Sequence, residues 1–355
     1  MSQFFSSKYK TLEPYTPGEQ PKERKYVKLN TNESPFPPSP GVLRAVAEES
    51  GRLQLYSDPD CKRLTAALAR RYGVGEDQIL LSNGSDEVLN FAFQAFADEE
   101  HPLVFPDLTY GFYPVFAALN RIPYREIPLR EDFSICPEDY HNLGMNIVIA
   151  NPNAPTGRAL SLGEIEGILQ TNREHVVVID EAYVDFGGQT CIPLIEKYDN
   201  LLVTRTFSKS YSLAGARLGF GAGSEALIAD LNAIKYSTNP YNINRMTMAA
   251  GVAALESNHY YRDNCRKIMD TRDRTAEELR GMGFDVVPST TNFLLAGHPA
   301  VTGKILYEKL RERGILVRYF ARPDVEGYVR ITIGTHGQMA ALTAAAKEIV
   351  KEETP

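Results

Sequence analysis

Lys209 lies in the run Thr204-Arg205-Thr206-Phe207-Ser208-Lys209-Ser210, directly after the apolar stretch Leu201-Leu202-Val203, and Arg217 follows it in a turn of small residues. An amine held at the end of a strand, with hydroxyls beside it and an arginine close behind, is what a Schiff base to pyridoxal phosphate requires. Taken alone, the same spacing fits a solvated surface lysine. The reading therefore depends on what the rest of the chain supplies.

Three further stretches bear on it. The apolar run His175 to Ile179 ends in Asp180, with Glu181, Ala182 and Tyr183 behind it. Polar residues at the carboxyl end of a central strand face the ligand crevice of an open α/β sheet. An aspartate there would keep a pyridine nitrogen protonated, and Tyr183 would donate to the ring's phenolic oxygen; Asp180 as a turn or helix cap is the bland alternative. Leu80 to Leu89 passes from a strand through Asn83-Gly84 into a helix whose N-cap is assigned to Ser85. The free amides and dipole of that first turn suit a phosphate, or Ser85 is only a cap. Tyr110, beside Gly111, suits stacking on a flat ring or simply belongs to the core. The turn Asn151-Pro152-Asn153-Ala154-Pro155-Thr156-Gly157 offers an asparagine amide to a ring oxygen, or is a rigid loop.

Rival chemistries lack their partners. Gly221-Ala222-Gly223-Ser224-Glu225-Ala226 fits a dinucleotide fingerprint, but no Asp or Glu stands between Leu231 and Leu255 where the ribose-binding acid belongs, so the segment reads as a turn. The chain has neither a Walker-type phosphate loop nor a nucleophile elbow. Its six histidines are scattered, and Cys61, Cys136, Cys191 and Cys265 form no C-x-x-C pair. The cysteines read as buried thiols, and no metal is expected.

The elements that must position these residues follow from the pattern of apolar runs. Runs at 78–82, 102–105, 146–150, 175–180 and 201–204 alternate with helical periods, as in a mostly parallel sheet covered on both faces. A long helix is expected from about Asn258 to Gly281. Strand-like 284–287, 291–295, 315–318 and 328–333 around a helical 301–313 then indicate a smaller α+β unit. From Tyr9 to Pro40 the chain is rich in proline, which suits an extended arm that needs a partner surface.

At 355 residues one large and one smaller domain are expected. The formal net charge of -7 argues against a generally nucleic-acid-binding surface, so a phosphate-bearing ligand must be held by local arginines and amides, and the partners are small molecules. Met1 to Lys10 lacks the apolar core of a signal peptide, and no stretch approaches membrane-spanning length; a cytoplasmic protein without a membrane partner is expected.

Taken in order, Ser85, Tyr110, Asn153, Asp180, Tyr183, Ser208, Lys209, Arg217 and Arg330 resemble the constellation of the fold type I aminotransferases over nearly the whole chain. Within them, Leu12-Glu13-Pro14-Tyr15, Leu29-Asn30-Thr31-Asn32-Glu33-Ser34-Pro35, Tyr56-Ser57-Asp58-Pro59, Ile179 to Tyr183 and Tyr328 to Thr335 are most similar to the histidinol-phosphate aminotransferases. The resemblance implies an α/β fold of the type I pyridoxal-phosphate-dependent class. Residues 1–40 would form an arm and the start of the small domain, 41–255 the large cofactor-binding domain with a mostly parallel sheet flanked by helices, and 256–355 the small α+β domain. It implies that Lys209 holds the cofactor and carries the proton between Cα and C4′, that Asp180 pairs with the pyridinium, that Tyr110 stacks on the ring and that Tyr183 bonds its phenolic oxygen. The amides of Gly84, Ser85 and Asp86, with Thr206, Ser208 and Arg217, would hold the phosphate. Tyr56 would reach that phosphate from a second subunit, which makes a homodimer with shared sites. Tyr15, Asn32, Arg318 and Arg330 would bind substrate, Arg330 at the amino donor's carboxylate and Arg318 near the substrate phosphate. One position departs from the family pattern: Ala154 stands where an asparagine is usual, with Asn153 one residue earlier. The implied reaction is amino transfer between L-histidinol phosphate and 2-oxoglutarate. Transamination of aromatic amino acids, decarboxylation of threonine phosphate and a non-enzymatic cofactor-binding role are the alternatives.

Overall fold

The computed structural model of the chain describes residues 2–21 and 23–354. Met1 and Lys22 of the expected arm, and Pro355 at the end of the expected small domain, lie outside them. The strands in chain order are β1 (Val27–Lys28), β2 (Ile79–Ser82), β3 (Leu103–Pro106), β4 (Tyr124–Ile127), β5 (Asn146–Ala150), β6 (Val177–Asp180), β7 (Leu201–Thr206), β8 (Gly219–Gly223), β9 (Asp285–Val286), β10 (Phe293–Gly297), β11 (Ile315–Leu316), β12 (Arg318–Tyr319) and β13 (Tyr328–Thr332).

Seven of these form one sheet in the order β2-β8-β7-β6-β5-β3-β4. β3 to β7 run parallel to one another, whereas β8 is antiparallel to both β2 and β7. The apolar runs are continuous because both faces are covered. Ile147, Ile149, Val177, Ile179, Leu201 and Val203 pack into the core on one face. Val148, Ala150, Val178 and Leu202 pack on the other, against Val88 and Phe91 of the Ser85–Phe96 helix.

β8 corrects the expectation of a turn at 221–226. Its glycines are needed for close packing: a Cβ on Gly221 would stand 2.9 Å from Val88 Cγ1, and one on Gly219 only 2.4 Å from the Ser85 backbone nitrogen. The first three residues of the apparent nucleotide fingerprint therefore belong to a strand pressed under a helix, and the last three cap and begin the helix Glu225–Thr238.

A second, four-stranded antiparallel sheet runs β12-β13-β10-β9. The helices Asn258–Gly281, Gly303–Glu312 and His336–Glu353 accompany it, and Phe293, Ile331, Leu306 and Ile349 share its core. The single strand expected at 315–318 is divided, because the chain changes partner at Val317: β11 pairs in parallel with β1, and β12 pairs with β13. Leu29 from the end of the arm joins this second core, as do Ala154 and Tyr183 from the loops after β5 and β6. The crevice between the two sheets is thereby walled by residues of both. The arm packs back on its own chain: Tyr15 stacks on Phe112 with centroids 4.3 Å apart, and Glu19 accepts from the Tyr307 hydroxyl at 2.7 Å and from Arg311 Nε at 3.1 Å.

Candidate active site

β2, β5, β6 and β7 all end on the same side of the sheet, and the segments leaving them carry the expected chemistry to one place. Ser85, Asp86, Tyr110, Asp180, Tyr183, Thr206, Ser208, Lys209 and Arg217 line one cavity of about 160 Å³. Gly84 adjoins it beside the Arg217 guanidinium.

Asp180 forms the polar floor. It is 4% exposed and, among the described residues, accepts three hydrogen bonds, none from a cation: from the Tyr113 hydroxyl at 3.1 Å, the Thr204 hydroxyl at 3.1 Å and the Ala182 amide at 3.2 Å. Burial pushes its carboxyl up to about 6, against the pull of the Thr204 and Tyr113 hydroxyls. A buried carboxylate with neutral donors only is a site for a cationic ligand atom. Tyr113 and Thr204 were not singled out in the sequence. The hydroxyls at alternate positions 204 and 206 on β7 were a usable signal, while nothing separates Tyr113 from an ordinary core tyrosine.

The opposite end is built for an anion. Helix Ser85–Phe96 starts one residue earlier than expected, with Gly84 rather than Ser85 as its N-cap, and no side chain caps it. Its first amides remain for a ligand. Gly84 adopts φ 82°, where side chains are disfavoured, and a Cβ there would fall 2.5 Å from Arg217 Nη2. Arg217 reaches Asp86 Oδ2 at 3.3 Å, and Asp86 Oδ1 accepts from the Tyr110 hydroxyl at 2.8 Å. Burial first, and then the charge of Asp86, raise the Tyr110 phenol well above its ordinary range, so it remains a donor. The Thr206 hydroxyl donates to Ser208 Oγ at 3.0 Å and accepts from the Ser208 amide at 3.1 Å. Lys209 Nζ lies 5.7 Å from the centre of the Tyr183 ring, and the Tyr183 hydroxyl accepts from Asn32 Nδ2 at 2.9 Å.

A second cavity of about 620 Å³ shares Thr31, Tyr110, Ala154, Tyr183 and Lys209 with the first, and extends to Tyr15, Asn30, Asn32, Arg318 and Arg330. Arg318 donates to the arm carbonyls of Thr16 and Pro17 at 3.1 and 3.4 Å. Arg330 donates from Nη2 to the Asn30 carbonyl at 3.1 Å, and its buried Nε has no partner among the described residues. Burial depresses its guanidinium below the ordinary value, which an arriving anion would relieve.

Two expected residues stand elsewhere. Asn153 is fully buried but lines neither cavity; its side chain ties its loop to the one after β3, accepting from the Thr109 hydroxyl at 2.7 Å and donating to the Leu108 carbonyl at 3.0 Å, and it also donates to Thr156 Oγ1 at 3.1 Å. Ala154 lines both cavities instead. Tyr56 is 80% exposed and stacks on Tyr241 with centroids 4.7 Å apart, outside both cavities of its own chain. Of the cysteines, Cys61, Cys191 and Cys265 are buried, but Cys136 is only half-buried because its sulfur meets Arg130 and Glu138 at the surface.

Comparison with known proteins shows the family and the fold. The family model for aminotransferases of class I and II matches residues 24–349. A histidinol-phosphate aminotransferase of Marinomonas sp. (strain MWYL1) is 49% identical over 353 residues, covering 98% of this chain and 100% of the relative. That of Brachyspira hyodysenteriae is 46% identical, covering 99% and 100%. Among solved structures, the histidinol-phosphate aminotransferase of Sinorhizobium meliloti in complex with pyridoxal-5'-phosphate superposes with a TM-score of 0.85 at 26% identity, over 93% of this chain and 92% of that one.

Proposed function

The chain belongs to the class I and II aminotransferases, and we propose that it moves an amino group between L-histidinol phosphate and 2-oxoglutarate, forming imidazole acetol phosphate and L-glutamate in histidine biosynthesis. The observation that carries the substrate is the pairing of Arg318 and Arg330 on one cavity whose inner end is Lys209. Both guanidiniums hydrogen-bond only backbone carbonyls among the described residues, so two positive charges stay available for a phosphate dianion or a carboxylate.

The cofactor is pyridoxal phosphate, which when bound supplies an electron sink for the bond from substrate Cα to hydrogen. The chain's groups fit it at both ends: a helix start without a side-chain cap, whose cradle a Cβ on Gly84 would fill, and a buried carboxylate whose hydrogen-bond donors are all neutral among the described residues. Lys209 would hold it, and the Lys209 amine would then be the base that takes the proton from substrate Cα. Asp180 would hold a proton on the ring nitrogen. Tyr183, oriented by Asn32, donates to the phenolic oxygen, and Tyr110 covers the ring. The amides of Gly84, Ser85 and Asp86, with Thr206, Ser208 and Arg217, bind the phosphate. Asn32, itself fixed by the Thr332 hydroxyl at 2.9 Å, and Tyr15 complete the substrate wall. The enzyme works in the cytoplasm as a homodimer, in which the exposed Tyr56 serves the site of a second copy.

A panel of amino donors scored by half-reaction absorbance spectra tests the reading. Histidinol phosphate should convert the cofactor to its amine form faster than phenylalanine or tyrosine does, and 2-oxoglutarate should reverse it. Release of carbon dioxide from threonine phosphate, with no turnover of 2-oxoglutarate, would overturn it.

A further inference from the structure

The residues that face the cofactor cavity have near neighbours in sequence that turn the other way and meet in one ionic cluster. Arg205 stands on β7 between Thr204 and Thr206, Glu181 follows Asp180, Asp185 comes two after Tyr183, and Ser210 follows Lys209. Arg205 is 4% exposed; its Nη2 donates to Asp185 Oδ1 at 2.6 Å, and its Nη1 lies 3.4 Å from Glu181 Oε2. Glu181, also buried, accepts further from the Thr190 hydroxyl and the Cys191 amide. The Ser210 hydroxyl donates to Asp185 Oδ2 at 2.5 Å.

Enclosing an ion pair gains little net stability, because desolvation offsets the attraction. What such a cluster does supply is geometry. Between the end of β7 and Arg217 the lysine loop has few backbone bonds of its own, chiefly Ser212 to Lys209 and Leu213 to Phe207. The Ser210 hydroxyl is a hydrogen-bonded side-chain tie between that loop and the one bearing Tyr183, through a path of two residues on one side and one on the other. Asp185 in turn cannot swing freely, because Arg205 anchors it to the strand that carries Thr204 and Thr206. We propose that Ser210, Asp185 and Arg205 are positioning residues that set the Lys209 amine against Tyr183 and Asp180. This rests on the reading that the cavity holds pyridoxal phosphate on Lys209, and not on the identity of the amino donor.

The test uses the holoenzyme and the variants Ser210→Ala, Ser210→Thr and Asp185→Asn. Two quantities are read: the pH midpoint of the visible absorbance of the Lys209-bound cofactor, and the single-turnover rate with glutamate as a function of its concentration. Loss of the tie in Ser210→Ala should slow the saturated half-reaction about tenfold while half-saturation stays within about twofold, since a small misplacement of a reacting group costs rate rather than binding. The midpoint should move by roughly half a pH unit or more, as the nitrogen's surroundings change. Ser210→Thr, which keeps the hydroxyl, should restore both. Asp185→Asn should shift the midpoint in the same direction, and it decides the matter by itself if Ser210→Ala does not fold. An unmoved midpoint in either variant, or a loss that threonine fails to rescue, overturns the proposal. A wild-type protein without the visible band would instead overturn the cofactor reading on which it rests.

Discussion

Replacing Asp180 by asparagine should have opposite effects on the cofactor-free protein and on cofactor binding. In the folded chain, burial raises this carboxyl from its ordinary 3.8 to about 6. The folded state therefore binds the proton more tightly than the unfolded one, and stability falls as pH rises from about 4 to 6, with the penalty complete above that window. A rise of that size corresponds to roughly 3 kcal/mol at neutral pH. Asparagine removes the charge yet keeps the contacts: its oxygen still accepts from Ala182 and Thr204, and its amide can donate to the Tyr113 hydroxyl oxygen. Cofactor-stripped Asp180→Asn should consequently melt about 3 to 6 °C higher than the parent at pH 8, with the gap closing towards pH 4. Its affinity for pyridoxal phosphate should fall about a hundredfold, because the ring nitrogen loses its counter-charge, and turnover should nearly vanish. Thermal scans across pH, paired with cofactor titration, read both effects. A lower Tm at pH 8, or a gap independent of pH, would refute the view that Asp180 is an unpaired buried carboxylate awaiting a cation.

Arg318→Ala should weaken histidinol phosphate about tenfold or more, through loss of charge-assisted hydrogen bonds, while the glutamate half-reaction suffers less; separate half-saturation measurements on the two substrates check this. Gly84→Ala must place a side chain at φ 82° and push Arg217 aside, so the protein should lose about 1 to 3 kcal/mol of stability by denaturant titration. It should also lose about tenfold in cofactor affinity, read from the same absorbance titration. Tyr56→Phe should leave Tm of the cofactor-free protein unchanged, since the exposed hydroxyl has no bond in its own chain among the described residues, yet should weaken cofactor retention in dialysis if Tyr56 serves the site of a second copy.

Much of this site was legible in the sequence because parallel strands buried on both faces read as continuous apolar runs, and the polar residues that end them must lie at the crevice. Asp180, Lys209 and the 84–86 turn are found this way. The strand β8 was not, since its glycines are chosen for contact with the Ser85–Phe96 helix and carry neither alternation nor β-branching. The N-cap moved from Ser85 to Gly84 because a left-handed glycine, not a side-chain oxygen, begins that helix. Asn153 does not line the cavity because its amide is bonded to Leu108 and Thr109 of the loop after β3 and to Thr156, contacts that the local sequence does not report. Tyr113 and the cluster around Arg205 depend on contacts between residues 20 to 70 positions apart, which no local pattern reports.

Borohydride reduction of the cofactor-saturated enzyme, followed by digestion and peptide mapping, bears most directly on the claim that amino transfer takes place at Lys209. The pyridoxyl label should appear on Lys209 alone. Prior incubation with L-histidinol phosphate should abolish it, because the amino group then leaves the lysine free, and subsequent 2-oxoglutarate should restore it. A label on another lysine, or one that histidinol phosphate leaves undiminished, would contradict the account.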